Sequence, residues 1–225
     1  MKTNSIRSIR RAELSKAAFE AVVLYGLRKA TLEKVGRIAG VSKGVVLHHF
    51  KDKSSLLEAV FRRSNSVLSE SVIELYRHAD TPYERLWAII IANFFKTIFN
   101  RKVCQAWVSL MSEVPHNEQC QRVEAANHTR IQSNLRYALK HFLNKTDTER
   151  TALHLGMLID GIWARNGLQS APVVSEKAIS EMEYAILKML PHDNKSIAKH
   201  QEARLKIENI ANIVLGSKAY KEKSF

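Results

Sequence analysis

The chain has 225 residues, 45% of them hydrophobic, enough for one large domain or for a small domain joined to a medium one. Its net charge of +13 favours an anionic partner, nucleic acid or a membrane surface, and the excess sits early: residues 1–60 hold 12 Lys/Arg against 5 Asp/Glu. The opening MKTNSIRSIRR lacks a signal peptide's apolar stretch, the run LWAIIIANFF is about half a bilayer span, and Cys104 and Cys120 lack C-x-x-C spacing. These features exclude a secreted disulfide scaffold and a membrane protein. The expectation is a soluble cytoplasmic protein with free thiols, no metal and no cofactor.

The periodicity is helical from end to end, so the class is all-α. Leu14, Ala17, Ala18, Ala21, Val22 and Tyr25 fall on one helix face, and Gly26 is placed to end it. Thr31 opens a short segment, TLEKVGRIAG, closed by Gly40, and Ser42 opens the next, SKGVVLHHF. Ser54 can cap a longer helix, to about residue 78, burying Leu57, Val60, Phe61, Val67, Leu68, Val72 and Leu75. Thr81-Pro82-Tyr83-Glu84 is a capping box with proline at the first helical position, and its helix carries Leu86, Trp87, Ile90, Ile91, Phe94 and Ile98 inward. A shorter helix around Cys104–Met111 stops before Pro115, and a long one runs from about His116 to Phe142. A second capping box, Thr146 to Glu149, starts a helix to Gly167; residues 175–190 form another, stopped by Pro191. Residues 192–225 hold either a docked amphipathic helix (Leu205, Ile207, Ile210, Ile213) or a mobile basic tail ending KAYKEKSF.

Two short helices joined through Ala39-Gly40-Val41 make a helix-turn-helix signature. Glycine permits the tight turn, Val41 plugs the space between the helices, and Ser42 caps a second helix suited to lie in a major groove. The stretch from Thr31 to Leu57, with Ala39, Gly40, Val41, Ser42, Gly44, Phe50, Lys53 and Leu56 at fixed offsets, resembles the DNA-binding signature of the tetracycline-repressor (TetR) family. By that resemblance Thr31, Ser42, His49 and Lys53 contact phosphates. Lys43, Gly44, Val45 and His48 lie in or near the groove, and Phe50 locks the recognition helix to the first helix. Leu47 stands where the family often has tyrosine and lacks the hydroxyl. Gly36 replaces the usual alanine, so Gly36→Ala is expected to raise the melting temperature by relieving a cost of roughly 0.5–1 kcal/mol. His48-His49 is otherwise a pair of solvated polar residues. Zinc is not expected there, because adjacent residues on a helix point to different faces. Arg7, Arg10 and Arg11 are either a solvated helix start or an arm on the phosphates or in the minor groove.

The remainder carries a narrower resemblance. IRRAEL at 9–14, NF at 93–94, QAW at 105–107, SNL at 133–135 and LIDGIWAR at 158–165 look like the choline-responsive repressors of glycine betaine synthesis. That resemblance implies a double-stranded DNA operator as partner and choline as the small-molecule effector. A quaternary ammonium is held by aromatic faces and a carboxylate, and Phe94, Trp107, Trp163 and Asp160 could supply them. Each of these aromatics also reads as plain core. The last two family helices, about 147–167 and 175–190, would pair with their copies in a homodimer, with Gly156 and Gly161 allowing close approach. Residues 1–53 then form the DNA-binding domain, 54–191 the ligand and dimer domain, and 192–225 an extension. The competing readings are a repressor of an efflux pump that senses bulky hydrophobic cations, a DNA-binding factor without a ligand, and an enzyme. No phosphate loop, nucleophile elbow or metal spacing supports the last.

Overall fold

In a computed structural model that describes residues 2–191, 193–218 and 220, without the side chains of 2–6 and 53, the chain folds into ten α-helices and no strand among those residues. They are α1 (Lys2–Tyr25), α2 (Leu32–Ala39), α3 (Lys43–His49), α4 (Lys53–Tyr76), α5 (Pro82–Phe94), α6 (Arg101–Met111), α7 (Glu118–Leu139), α8 (Lys145–Leu168), α9 (Ser175–Met189) and α10 (Asn194–Val214). Short 3-10 turns lie at Leu27–Lys29 and Val114–His116. The all-α expectation holds.

Side-chain caps set most of the starts. Thr31 and Ser42 accept from the backbone N–H groups of Lys34 and Val45, and Thr81 closes its capping box with Glu84 as expected. Two starts differ from the sequence reading. Asp52, boxed with Ser55, caps α4 in place of Ser54, whose hydroxyl instead accepts from Asn117 Nδ2 at 2.7 Å. Asn144 caps α8 in place of Thr146. In each case an acid or amide two residues upstream outcompetes a hydroxyl. Helix α5 stops at Phe94, and Ile98 reaches the core from the turn that follows.

Helices α1, α2 and α3 form one packed group, which α1 joins to α4. Helix α5 runs through the middle of the larger part, with every residue from Leu86 to Phe94 buried. Around it stand α4, α7, α9 and α10, and α6 lies along α8. The face predicted for α10 is rotated. Ala203, Ile207, Ala211 and Leu215 point inward beside His200, whereas Leu205 and Ile213 are 62% and 73% exposed. Two small alanines, one on each side of Ile207, let the helix lie close on α5, and the larger Leu205 and Ile213 side chains lie away from it. Arg204 reaches Glu176 and Glu183 on α9 and Glu208 on its own helix, and Lys206 reaches Asp80 and Glu84, each at 2.9 Å. Residues 194–214 are thus a docked helix. Much of the basic end, residues 219 and 221–225, lies outside the described residues.

Candidate functional site

The turn between α2 and α3 depends on two glycines. Gly40 has φ +66, the left-handed region that a side chain disfavours, and it ends α2 as an αL cap. Its successor Val41 folds back, its N–H donating to Gly36 O at 2.8 Å, and half-buries its side chain between the helices. A Cβ on Gly36 would come within 2.6 Å of the Val41 carbonyl oxygen, a backbone atom that cannot step aside. The expected gain from Gly36→Ala is therefore reversed. Glycine at 36 is what lets α3 approach α2.

That close approach fixes the face α3 presents. Val46 and Phe50 are fully buried, while Ser42, Lys43, Gly44, Val45, Leu47 and His48 are exposed on one side and Thr31 is exposed at the start of α2. His49 is half-buried, its ring edge-on to His48 at 5.4 Å. Desolvation, then the positive charges of His48, Arg7, Arg10 and Arg11, hold His49 below the usual imidazole range. The three arginines therefore project their field onto the end of α3, from a helix and not from an extended arm. Their side chains are not equivalent. Arg10 pairs with Glu13 at 2.8 Å, and Arg7 is exposed. Arg11 donates to the His49 carbonyl at 3.0 Å and lays its guanidinium 4.8 Å from the Phe50 ring centre. It caps the C-terminus of α3, where a cation complements the helix dipole. The Lys53 side chain lies outside the described residues.

The candidate effector residues come together only in part. Trp107 of α6 and Trp163 of α8 meet with ring centres 5.9 Å apart and line an apolar cavity of about 20 Å³ with Phe19, Ser64, Asn65 and Val67. That volume holds about one water. Phe94 is fully buried and stands behind Phe99, which separates it from Trp163 at centre distances of 5.1 and 5.2 Å. Phe94 is thus core, not wall. Asp160 is not among the lining residues; it is exposed on the side of α8 toward α7, near His128. Sequence reasoning missed Phe19, Asn65 and Phe99. Asn65 carried a signal, a polar residue on the inward face of α4, but nothing in its spacing sets it apart from a solvated position. The cavity wall includes Phe19 of α1 and four residues of α4, so both helices that hold the helix-turn-helix also touch the cavity.

Comparison with known proteins agrees with this arrangement. Residues 14–60 match the bacterial regulatory proteins of the tetR family, and residues 82–191 match the C-terminal region of the BetI-type transcriptional repressors. The chain is 33% identical to the HTH-type transcriptional regulator BetI of Pseudomonas paraeruginosa, over 78% of this chain and 90% of that protein. It is 32% identical to the HTH-type transcriptional regulator BetI of Escherichia coli (strain K12), over 84% and 97%. A TetR transcription regulator from Haloarcula marismortui shares the fold, with a TM-score of 0.72 over 82% of this chain and 100% of that one at 20% identity. Helix α10 lies beyond the matched residues. No helix among the described residues is long and apolar enough to cross a membrane. The chain belongs to the TetR family of bacterial transcriptional regulators, and within it to the repressors of the BetI type.

Proposed function

We propose that the protein is a homodimeric repressor that occupies a near-palindromic operator and is released by choline, controlling genes for choline uptake and conversion to glycine betaine. The observation that carries this reading is the Trp107–Trp163 pair on a small apolar cavity walled in part by α1 and α4. Two tryptophan faces suit a quaternary ammonium, which offers no hydrogen-bond donor and is held by ring quadrupoles. The names of the BetI relatives point the same way. An efflux-pump regulator of bulky cations would have to open this cavity of about 20 Å³ further still.

On this reading residues 1–53 are the reading head, 54–191 the sensing and dimer domain, and 192–225 an extension. Lys43, Gly44, Val45 and His48 meet the groove. Thr31, Ser42, His49, Lys53 and Arg10 serve the phosphates, and Arg11 acts through α3. Choline is too large for the cavity as it stands, so its binding parts α4 from α6 and α8. That movement turns α1 and α4, and the two recognition helices of a dimer no longer match major grooves roughly 34–36 Å apart. Release requires only that choline bind the parted form more tightly.

The test is intrinsic tryptophan fluorescence of the protein titrated with choline, glycine betaine and a neutral alcohol of similar size. A saturable response selective for choline and lost in Trp163→Ala is the expected result. Protein that binds DNA yet ignores millimolar choline would leave a repressor with some other effector.

A further inference from the structure

Helix α10 lies beyond the residues that match the BetI-type repressors, and it is fastened to three other helices. Lys206 pairs with Asp80 and Glu84 at the start of α5, each at 2.9 Å, and Arg204 pairs with Glu176 and Glu183 of α9. The third attachment is to α4, and it comes from the turn that follows α10. Leu215 is fully buried there, and Ser217 Oγ accepts from the Tyr220 N–H at 3.1 Å, as an N-cap does. That turn brings the Tyr220 hydroxyl to 2.5 Å from Ser71 Oγ, on a fully buried residue of α4. Ser71 has one hydroxyl proton and donates it to the Val67 carbonyl at 2.7 Å, so the tyrosine is the donor in the 2.5 Å bond.

Val67 joins this bond to the cavity. Its side chain lines the wall with Ser64, Asn65 and Leu68, and its carbonyl holds the Ser71 hydroxyl. Tyr220 therefore grips α4 one turn beyond the residues that face Trp107 and Trp163. Through α10 it ties that turn of α4 to α5 and α9. Helix α4 can move against those two only by breaking the hydroxyl bond or by dragging α10 off its carboxylates. We propose that the C-terminal extension is a latch: Tyr220 holds α4 in the position that the effector must disturb, and so sets how much effector is needed to free the operator. This rests on the reading above, in which α4 parts from α6 and α8. A hydrogen bond made in exchange for water has a modest net worth, so the latch raises the threshold of release without forbidding it.

Tyr220→Phe tests this in the full chain. It removes the hydroxyl, keeps the ring, and leaves Ser71 bonded to Val67, so no buried polar group is orphaned. Two readouts are taken: hydrogen exchange of the backbone amides without ligand, and release of operator DNA by choline. The variant is expected to exchange faster over residues 64–71 while 194–214 stays as in wild type. Its choline concentration at half-release should fall by about two- to tenfold, the range of one net hydrogen bond. Unchanged exchange over 64–71 overturns the latch, and so does an unchanged midpoint of release. A lower melting temperature with both readouts as in wild type overturns it too, since the bond is then one more packing contact. Wild type that keeps its operator in millimolar choline removes the choline reading alone. Exchange then decides the latch: faster over 64–71 in Tyr220→Phe upholds the hold on α4, and unchanged overturns it.

Discussion

Gly36 and Arg11 show how single side chains decide the shape of the reading head. Alanine at 36 gains up to about 1 kcal/mol of helix propensity, but its Cβ, 2.6 Å from the Val41 carbonyl, forces the turn apart. Overpacking of that kind costs about 1–3 kcal/mol, so Gly36→Ala should lower the melting temperature and weaken operator binding together. A higher melting temperature would mean that the turn relaxes freely. Arg11 and Lys43 are both basic and both near α3, yet the geometry gives them different work. Lys43 is exposed at the first turn, free to neutralise a phosphate; Arg11 is engaged with the His49 carbonyl and the Phe50 ring. Measured against salt, Lys43→Ala should reduce the slope of log K on log salt by about one counterion. Arg11→Ala should lower affinity at every salt concentration with the slope unchanged, because it loosens the helix and removes no ion contact. A reduced slope in Arg11→Ala would return that residue to the phosphates.

Helix α10 carries its own signature in His200. The imidazole is 2% exposed, packed edge-on to Tyr83 at 4.7 Å, and its Nδ1 has no partner. Burial drops its pKa to about 4 from an ordinary 6.5. A histidine depressed in the folded state leaves stability intact above pH 6.5 and erodes it as pH falls toward 4, in all by on the order of 3 kcal/mol. His200→Phe keeps the aromatic packing and removes the proton, so its melting temperature should fall less than that of wild type between pH 7 and 4.5. Parallel curves would mean that the imidazole charges without cost where it sits. The same helix marks the limit of what sequence shows about an element. That it could form was legible from apolar spacing, with a mobile tail as the alternative, whereas the other helices and the helix-turn-helix with its Gly40 turn were legible outright. The buried face of α10 was not, because alanine carries little hydropathy and the Leu205–Ile213 pair outweighs it in any periodicity count. Capping residues misled for a related reason: Ser54 and Thr146 satisfy the pattern, but Asp52 and Asn144 stand in reach of the same N–H groups. The cavity was legible as two tryptophans. Its polar wall was not, since Asn65 looks like ordinary helix surface until α4 is packed against α6 and α8.

At the scale of the whole molecule, a reading head that covers one half-site needs a second copy. A third of the exposed large apolar residues among those described lie on α8 and α9: Leu153, Met157 and Leu168 on the first, Tyr184 and Met189 on the second, at 37–72% exposure. Gly161 lies on the same side of α8 with open space beyond it, whereas Gly156 faces Gln132 of α7 inside the protomer and cannot serve a partner. Beside them a groove of about 640 Å³ runs between α8 and α9, with Leu158, Ile162 and Val174 among the charged Arg165, Lys177 and Glu181. An isolated apolar stripe of this kind marks an association surface. Placing a carboxylate at its centre, with Met157→Glu, buries an unpaired charge twice in a two-fold interface and leaves the protomer's own core untouched. Sedimentation should then show a monomer with the melting behaviour of a folded chain. Operator affinity should fall by on the order of 100-fold, because two linked half-site contacts become one. If the variant still sediments as a dimer and holds the full operator, the α8–α9 face is not where the copies meet, and the groove is open to another occupant.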